Sequence, residues 1–193
     1  MVRPREFDRD EVLDRALRVF WEQGYAATST DDLLDAMQIG RQSLYNAFGD
    51  KRKLYLEALL RYSQRNVSTH LTRLKSAASP LAGIEAVLAG LIDDGCGQQV
   101  PGCMGVNAIC EFGGRDPELN AMREQLGPVL DAVLVERIRE GQQGGEIDAE
   151  LDASQAASYI QVTMQGIQVA ARAGIAADSL RGIARFAVER LRA

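Results

Sequence analysis

In the stretch RQSLYNAF, residues 41 to 48, Arg41, Gln42 and Asn46 carry the side-chain types that read DNA bases. Glutamine and asparagine each present a donor beside an acceptor and so pair twice with adenine; an arginine fork does the same with guanine. Ser43 belongs to the same polar set. Tyr45, Thr28 and Ser29 offer hydroxyls to phosphate oxygens, and Lys51, Arg52 and Lys53 add cations at the start of the next segment. A helix advances about 100° per residue, so with Leu44 pointing inward, Ala47 and Phe48 fall within about 60° of it and Gln42 and Asn46 nearly opposite. A face that is merely solvated more often carries Glu and Lys.

A second group of residues suits a small-molecule pocket. Tyr62, Asn66 and His70 recur at four-residue spacing, and Met104, Asn107 and Glu111, then Met164, Gln165 and Gln168, mix soft apolar with amide or acidic groups. Glu111, if buried, needs a partner, either a cationic ligand group or an internal arginine. His70, the single histidine, reads equally as a structural residue. Cys103 and Cys110 are seven apart and share a helix face, with Cys96 in the loop before them. Thiolates react best near cations and helix N-termini, so a redox or electrophile switch at Cys103 and Cys110 is the alternative mechanism. Free cysteine is nevertheless among the most buried residue types, and packing is the expected role. No standard zinc spacing links these thiols, so neither a metal nor a cofactor is expected. No P-loop, G-x-S-x-G or HExxH motif occurs, which argues against an enzyme.

The elements that must hold these residues are helices. Asp8 with Glu11, and Ser29 with Asp32, are capping-box-like starts for helices of about 9 to 23 and 30 to 37. A third spans about 41 to 48 after the turn QIG, and Asp50 opens a fourth to about 76. Ser79-Pro80 and Asp116-Pro117 begin helices near 80 to 94 and 117 to 142, with a loop GCGQQVPG and a short helix of 103 to 113 between them. Asp152 caps a helix of about 153 to 173, and Asp178 or Ser179 a last one to about 191. No stretch alternates with period two, so the fold class is all-α with about nine helices. Residues 1 to 65 carry 11 Lys and Arg against 11 Asp and Glu, and residues 66 to 193 carry 11 against 16. A neutral module still binds DNA when its cations gather on one face. The arm VRPR would carry Arg3 and Arg5 into a minor groove, or remain an unstructured terminus.

Residues 8 to 55 resemble the DNA-binding domain of the tetracycline-repressor (TetR/AcrR) family. The resemblance lies in Gly24-Tyr25, Thr28-Ser29, Leu33, Ala36, Ile39 and LYNAFGDK with Leu44, Tyr45, Phe48 and Lys51. Gly40 departs from the family's usual Ser or Thr, and Ala47 from its frequent His or Tyr. The segment PGCMGVNAICEFGG is similar to a subgroup with a Gly-Cys start to helix six. The resemblance implies a helix-turn-helix domain over 1 to 50 and a ligand-binding and dimerisation domain over 51 to 193. It also implies a double-stranded DNA operator, an unidentified small-molecule effector, a homodimer and the role of repressor. A helical adaptor binding only protein would leave residues 28 to 51 unexplained. The stripe of Leu180, Ile183, Ala184, Phe186, Ala187 and Leu191, with small residues Ala156, Ala157 and Gly166, predicts a two-fold four-helix interface. The N-terminus lacks an apolar signal region and no run suits a membrane span, so the expected location is the cytoplasm.

Overall fold

The computed structural model describes residues 7–96 and 102–193, the side chains of 94–96 apart; Arg3, Arg5 and the Cys96 thiol lie outside this set. Nine α-helices and no β-strand occur among the described residues, with a single isolated bridge between Ile147 and Arg192.

The N-terminal helices start where short polar side chains satisfy free N–H groups. In α1 (Arg9–Gln23) the Asp8 carboxylate accepts from Asp10 and Glu11, and Gly24 ends the helix at φ 83°. In α2 (Thr30–Met37) Ser29 and Asp32 cap each other reciprocally. The hydrogen bond from Ser29 holds the Asp32 carboxyl below its usual range. α3 (Arg41–Phe48) follows Gly40 with no side-chain cap, and α4 (Lys51–Ser76) is capped by Asp50.

Farther along, α5 spans Pro80–Cys96, and Glu146 accepts from the Leu81 N–H and the Ser79 hydroxyl at its start. α6 (Met104–Phe112) follows Cys103, and α7 (Pro117–Gln143) is capped by Asp116. α8 (Ala153–Arg172) is capped by Asp152. α9 (Ala177–Glu189) begins earlier than expected: Ala176 is its N-cap residue, and Asp178 lies in its first turn, where a carboxylate favours the dipole from inside the helix.

Two cores divide the molecule. The first gathers Leu13, Phe20, Leu33, Leu44, Phe48 and Tyr55 from α1 to α4, and takes in Met104 and Ala108 of α6 and Leu119 of α7. Phe20, Tyr25, Tyr55 and Phe112 form a ring cluster with centroids 5.0 to 6.3 Å apart. Burial pushes the Tyr55 phenol well above its usual range. The second core, from Leu74 to Leu191, is aliphatic. Each fully buried Leu or Ile there contributes about 1.5 to 3 kcal/mol.

Most of the residues expected to form the interface stripe are turned inward. Leu180, Ala184, Ala187 and Leu191 are buried inside the chain, as are Ala156 and Ala157. The outward apolar face of α8 and α9 consists instead of Tyr159, Val162, Val169, Ile183 and Phe186, with Val162 at 67% and Phe186 at 62% exposure. Gly166 lies in this stripe with open space around it. Among the described residues no helix is long and apolar enough to cross a membrane.

Candidate nucleic-acid interface and ligand cavity

The turn between α2 and α3 is set by an unusual residue. Gln38 adopts the left-handed conformation at φ 55°, ψ 42°, whereas Gly40 sits at an ordinary φ of −74°. Such a conformation costs a non-glycine residue about 1 to 2 kcal/mol. It is held by the Gln38 N–H bonding Leu34 O at 2.9 Å and by Gln38 Nε2 bonding Asp35 O at 2.5 Å. Arg15 of α1 adds a bond to Met37 O at 3.3 Å.

Turned by that corner, α3 buries Leu44 and Phe48 and exposes Arg41, Gln42, Tyr45 and Asn46, with Ser43 half-buried. Gln42 Nε2 donates to Asn46 Oδ1 at 2.9 Å, so the two amides lie side by side on one face. Arg41 pairs with Asp31 of α2 at 2.6 Å. Both partners are well exposed, and such pairs are worth about 0 to 1 kcal/mol, so the guanidinium is readily released. Arg9 fixes the far end of α3: its guanidinium bonds Ala47 O at 3.2 Å, pairs with Glu57 and lies 4.5 Å from the Phe48 ring centre.

The residues expected to meet phosphate are more divided. Thr28 is buried and its hydroxyl donates to Gly24 O at 2.5 Å, so it serves the turn after α1. The Ser29 hydroxyl is engaged in the capping box. Lys51 Nζ stands 4.3 Å over the Tyr25 ring, and Lys53 is exposed. Arg52 pairs with Asp116 at 2.5 Å and Glu118 at 3.3 Å, linking α4 to α7.

A cavity of about 400 Å³ opens between α1, α4 and α8. Tyr62, Asn66 and Gln168 are on its wall as expected. Asp14, Arg18 and Trp21 of α1 and Arg65 of α4 are there too, and sequence spacing alone did not select them. Residues 14, 18 and 21 form a stripe at helical spacing, but which element covers a stripe of α1 is a tertiary question. Asp14 is held between Arg61, at 2.7 Å, and Arg65, at 2.9 Å. Burial pushes its carboxyl up, but the hydrogen bonds from Arg65 and Arg61 outweigh this and leave it below its usual range.

The remaining expected pocket residues lie elsewhere. His70 is buried in α4 and is not part of the wall. Met104 packs in the first core and Met164 in the second, while Gln165 is exposed. Asn107 is half-buried with its Nδ2 lacking an acceptor. Cys103 is buried at the N-cap of α6, one position outside the helix, and Cys110 is exposed, so the two thiols meet different surroundings. Glu111 pairs with no cation among the described residues: its carboxylate accepts the N–H groups of Tyr25 at 3.0 Å and Ala26 at 2.5 Å. It therefore ties α6 to the end of α1. Arg172 of α8 makes a parallel tie, donating to Trp21 O at 3.4 Å and Glu22 O at 3.3 Å.

Comparison with known proteins agrees with this geometry. Residues 12–58 match the family model of bacterial regulatory proteins of the tetR family, and residues 80–186 match that of the tetracyclin repressor-like C-terminal domain. The HTH-type transcriptional repressor ComR of Escherichia coli K12 is 30% identical over 187 residues, 94% of this chain and 88% of that protein. The HTH-type transcriptional regulator YezE of Bacillus subtilis 168 is 29% identical, covering 94% of each. A cysteine mutant of the TetR family regulator CifR, solved with a 26-base-pair operator duplex, superposes with a TM-score of 0.82. It is 30% identical, over 98% of this chain and 99% of its own. The chain belongs to the TetR family of bacterial transcriptional regulators.

Proposed function

We propose that this chain is a homodimeric repressor whose residues 1 to 50 bind an operator and whose residues 51 to 193 dimerise and bind the effector that releases it. The observation that carries the reading is the outward set of Gln42, Tyr45 and Asn46 on α3, anchored from behind by buried Leu44 and Phe48. An eight-residue helix presenting two adjacent amides fits a major groove, with Gln42 and Asn46 reading bases, Arg41 released from Asp31 to do the same, and Ser43 and Tyr45 beside them. Lys51 contributes charge to the backbone, and Ser29 supports it from the start of α2. The outward apolar face of α8 and α9 suits a second copy, whose two-fold pairing would space two recognition helices for successive grooves.

Release follows from the joints between the two parts. Glu111, Arg172 and the Arg52 pairs connect α6, α8 and α7 to the helices that carry α3. A ligand that shifts α4 or α8 need supply only about 1 to 3 kcal/mol of coupling to change operator occupancy five- to a hundred-fold. The place of action is the cytoplasm, where the DNA is.

Selection from a random duplex library followed by mobility shift at low and high salt tests the reading. Asn46→Ala should relax preference at one base position by about 1 to 3 kcal/mol, whereas Lys51→Ala should weaken all sequences alike and lower the salt slope by about one. Loss of affinity by both with unchanged base preference would refute these roles. Sedimentation at the mass of a 21.1 kDa monomer at micromolar concentration would reject the dimer and with it the paired-groove mechanism.

A further inference from the structure

The polar groups around the cavity do not balance. Asp14 is the one acidic side chain among the described residues of its wall, and both of its oxygens are already engaged: Arg65 reaches one at 2.9 Å and the other at 3.1 Å, while Arg61 Nε is 2.7 Å from the first. Arg18 has no ion pair or hydrogen bond among the described residues. Trp21 Nε1 is closed off from solvent and has no acceptor. The uncommitted groups are thus a full positive charge at the wall and an N–H donor on the covered edge of the Trp21 ring, with the amides of Asn66 and Gln168 able to serve either way. The rest is apolar: the Trp21 and Tyr62 rings, 5.2 Å apart and tilted by 59°, and buried Leu17 and Leu91.

We propose that the cavity between α1, α4 and α8 is an organic-anion site that takes a carboxylate on an apolar body, with Arg18 and Trp21 as its principal donors. A planar guanidinium meets a carboxylate through two parallel N–H bonds, and the indole N–H supplies a third bond at the inner edge once the ring turns to face the cavity. The apolar body lies over Leu17, Leu91 and the ring pair. A cationic ligand would meet Arg18 and Arg65 and find Asp14 occupied. The overall charge of −5 does not oppose this, because screening confines the field that matters to about 8 to 10 Å around Arg18 and Arg65. The site spans α1 and α8 at the Arg172 joint: Gln168 lies one turn before Arg172, which bonds the carbonyl of Trp21 itself. Filling the cavity therefore acts on the contact that seats the DNA-reading end against α8; this regulatory consequence, unlike the site, rests on the function proposed above.

Trp21 is the only tryptophan in the chain, so its emission reports the cavity without interference. Full-length protein should be titrated with phenylacetate and octanoate, with their neutral amides and with phenethylamine, following tryptophan emission and heat of binding. Both carboxylates should shift Trp21 emission saturably in the millimolar range or below, the amides should bind at least about tenfold more weakly and the amine not at all. Arg18→Gln, a change at an exposed position, should bring the carboxylates down to the level of the amides while leaving helicity and DNA affinity unchanged. Equal binding of acid and amide, no saturable binding by either carboxylate, or full carboxylate affinity in the Arg18→Gln protein would overturn the proposal. Mobility shift with the selected duplex keeps the two claims apart. A carboxylate that binds through Arg18 without altering DNA affinity upholds the site and removes its regulatory role. Release of DNA by neutral or cationic compounds alone, with carboxylates inert, overturns the anion site and leaves small-molecule repression standing.

Discussion

The core beneath the recognition helix contains Phe20, Phe48 and Tyr55, whereas the core shared by the end of α4 with α5, α7, α8 and α9 is built, among the described residues, from Leu, Ile, Val, Ala and Met alone. Rings have faces and edges and take cations over their faces, as Lys51 does over Tyr25 and Arg52 at 5.1 Å over Phe112. They fix orientation as well as volume. Aliphatic side chains interlock by shape alone, and helices packed through them accommodate small sliding motions. The DNA-reading end thus has the build of a rigid block and the other end that of a deformable one. α6 and the start of α7 belong to the rigid block through Met104, Ala108 and Leu119, although they follow it in sequence by more than forty residues.

The strongest way to break this comparison is to remove a ring. Phe20→Ala should cost about 3 to 5 kcal/mol and abolish DNA binding at temperatures where sedimentation still finds the dimer. Leu88→Ala in the aliphatic core, at about 2 to 5 kcal/mol, should loosen dimer and DNA binding together. Identical temperature profiles for the two variants would mean that the cores melt as one unit.

Cutting a joint should do less. Glu111→Gln keeps one carbonyl acceptor but turns an NH₂ toward a backbone N–H, a loss of about 1 to 3 kcal/mol by chemical denaturation. If α6 moves with the rigid block because of this contact, DNA affinity should fall as well. Unchanged affinity would show that the hydrophobic contacts of Met104 and Ala108 suffice.

Acid should probe the Arg52 joint next. The Leu119 N–H and then the Arg52 charge hold the Asp116 carboxyl below its ordinary 3.8. Below that value the unfolded chain takes up a proton before the native one does, so stability rises with pH across the window and is level above about pH 5. It is lost as pH falls through the native value. Asp116→Asn retains the cap oxygen and should flatten this acid limb of the stability curve. An equally steep limb would assign acid sensitivity to Asp14 and Asp32, which are depressed in the same direction.

The smallest effect belongs to α3 itself. Gly40→Ser places a hydroxyl at an uncapped N-terminus with an ordinary φ and open space, and should add a few tenths of a kcal/mol to stability without moving any other element. Destabilisation in thermal melts would mean that α3 needs its bare start.

Local chemistry made most of the fold legible. Asp8, Ser29, Asp50, Asp116 and Asp152 each cap the helix their position announced, because a cap satisfies N–H groups only two or three residues away. α9 escaped that reading because no side chain caps Ala176. The outward face of α3 was legible too, since a 3.6-residue period and one buried leucine fix the direction of every neighbour. Amino-acid sequence therefore determined the helices, their order and the outward placement of Gln42 and Asn46.

What each helix packs against was decided by tertiary structure alone. Glu111 looks in sequence like a ligand residue and is instead a cap for the turn after α1, across 85 and 86 positions of chain. Arg52 looks like a phosphate contact and pairs with Asp116. Thr28 offers a hydroxyl that the fold turns inward, and Arg18 and Trp21 become cavity walls only because α4 and α8 lie over that stripe of α1. A carboxylate, a hydroxyl and a guanidinium carry the same donors and acceptors wherever they stand. Their roles are set by which partner arrives within about 3 Å, and that is fixed by the packing of distant helices rather than by neighbours in the chain.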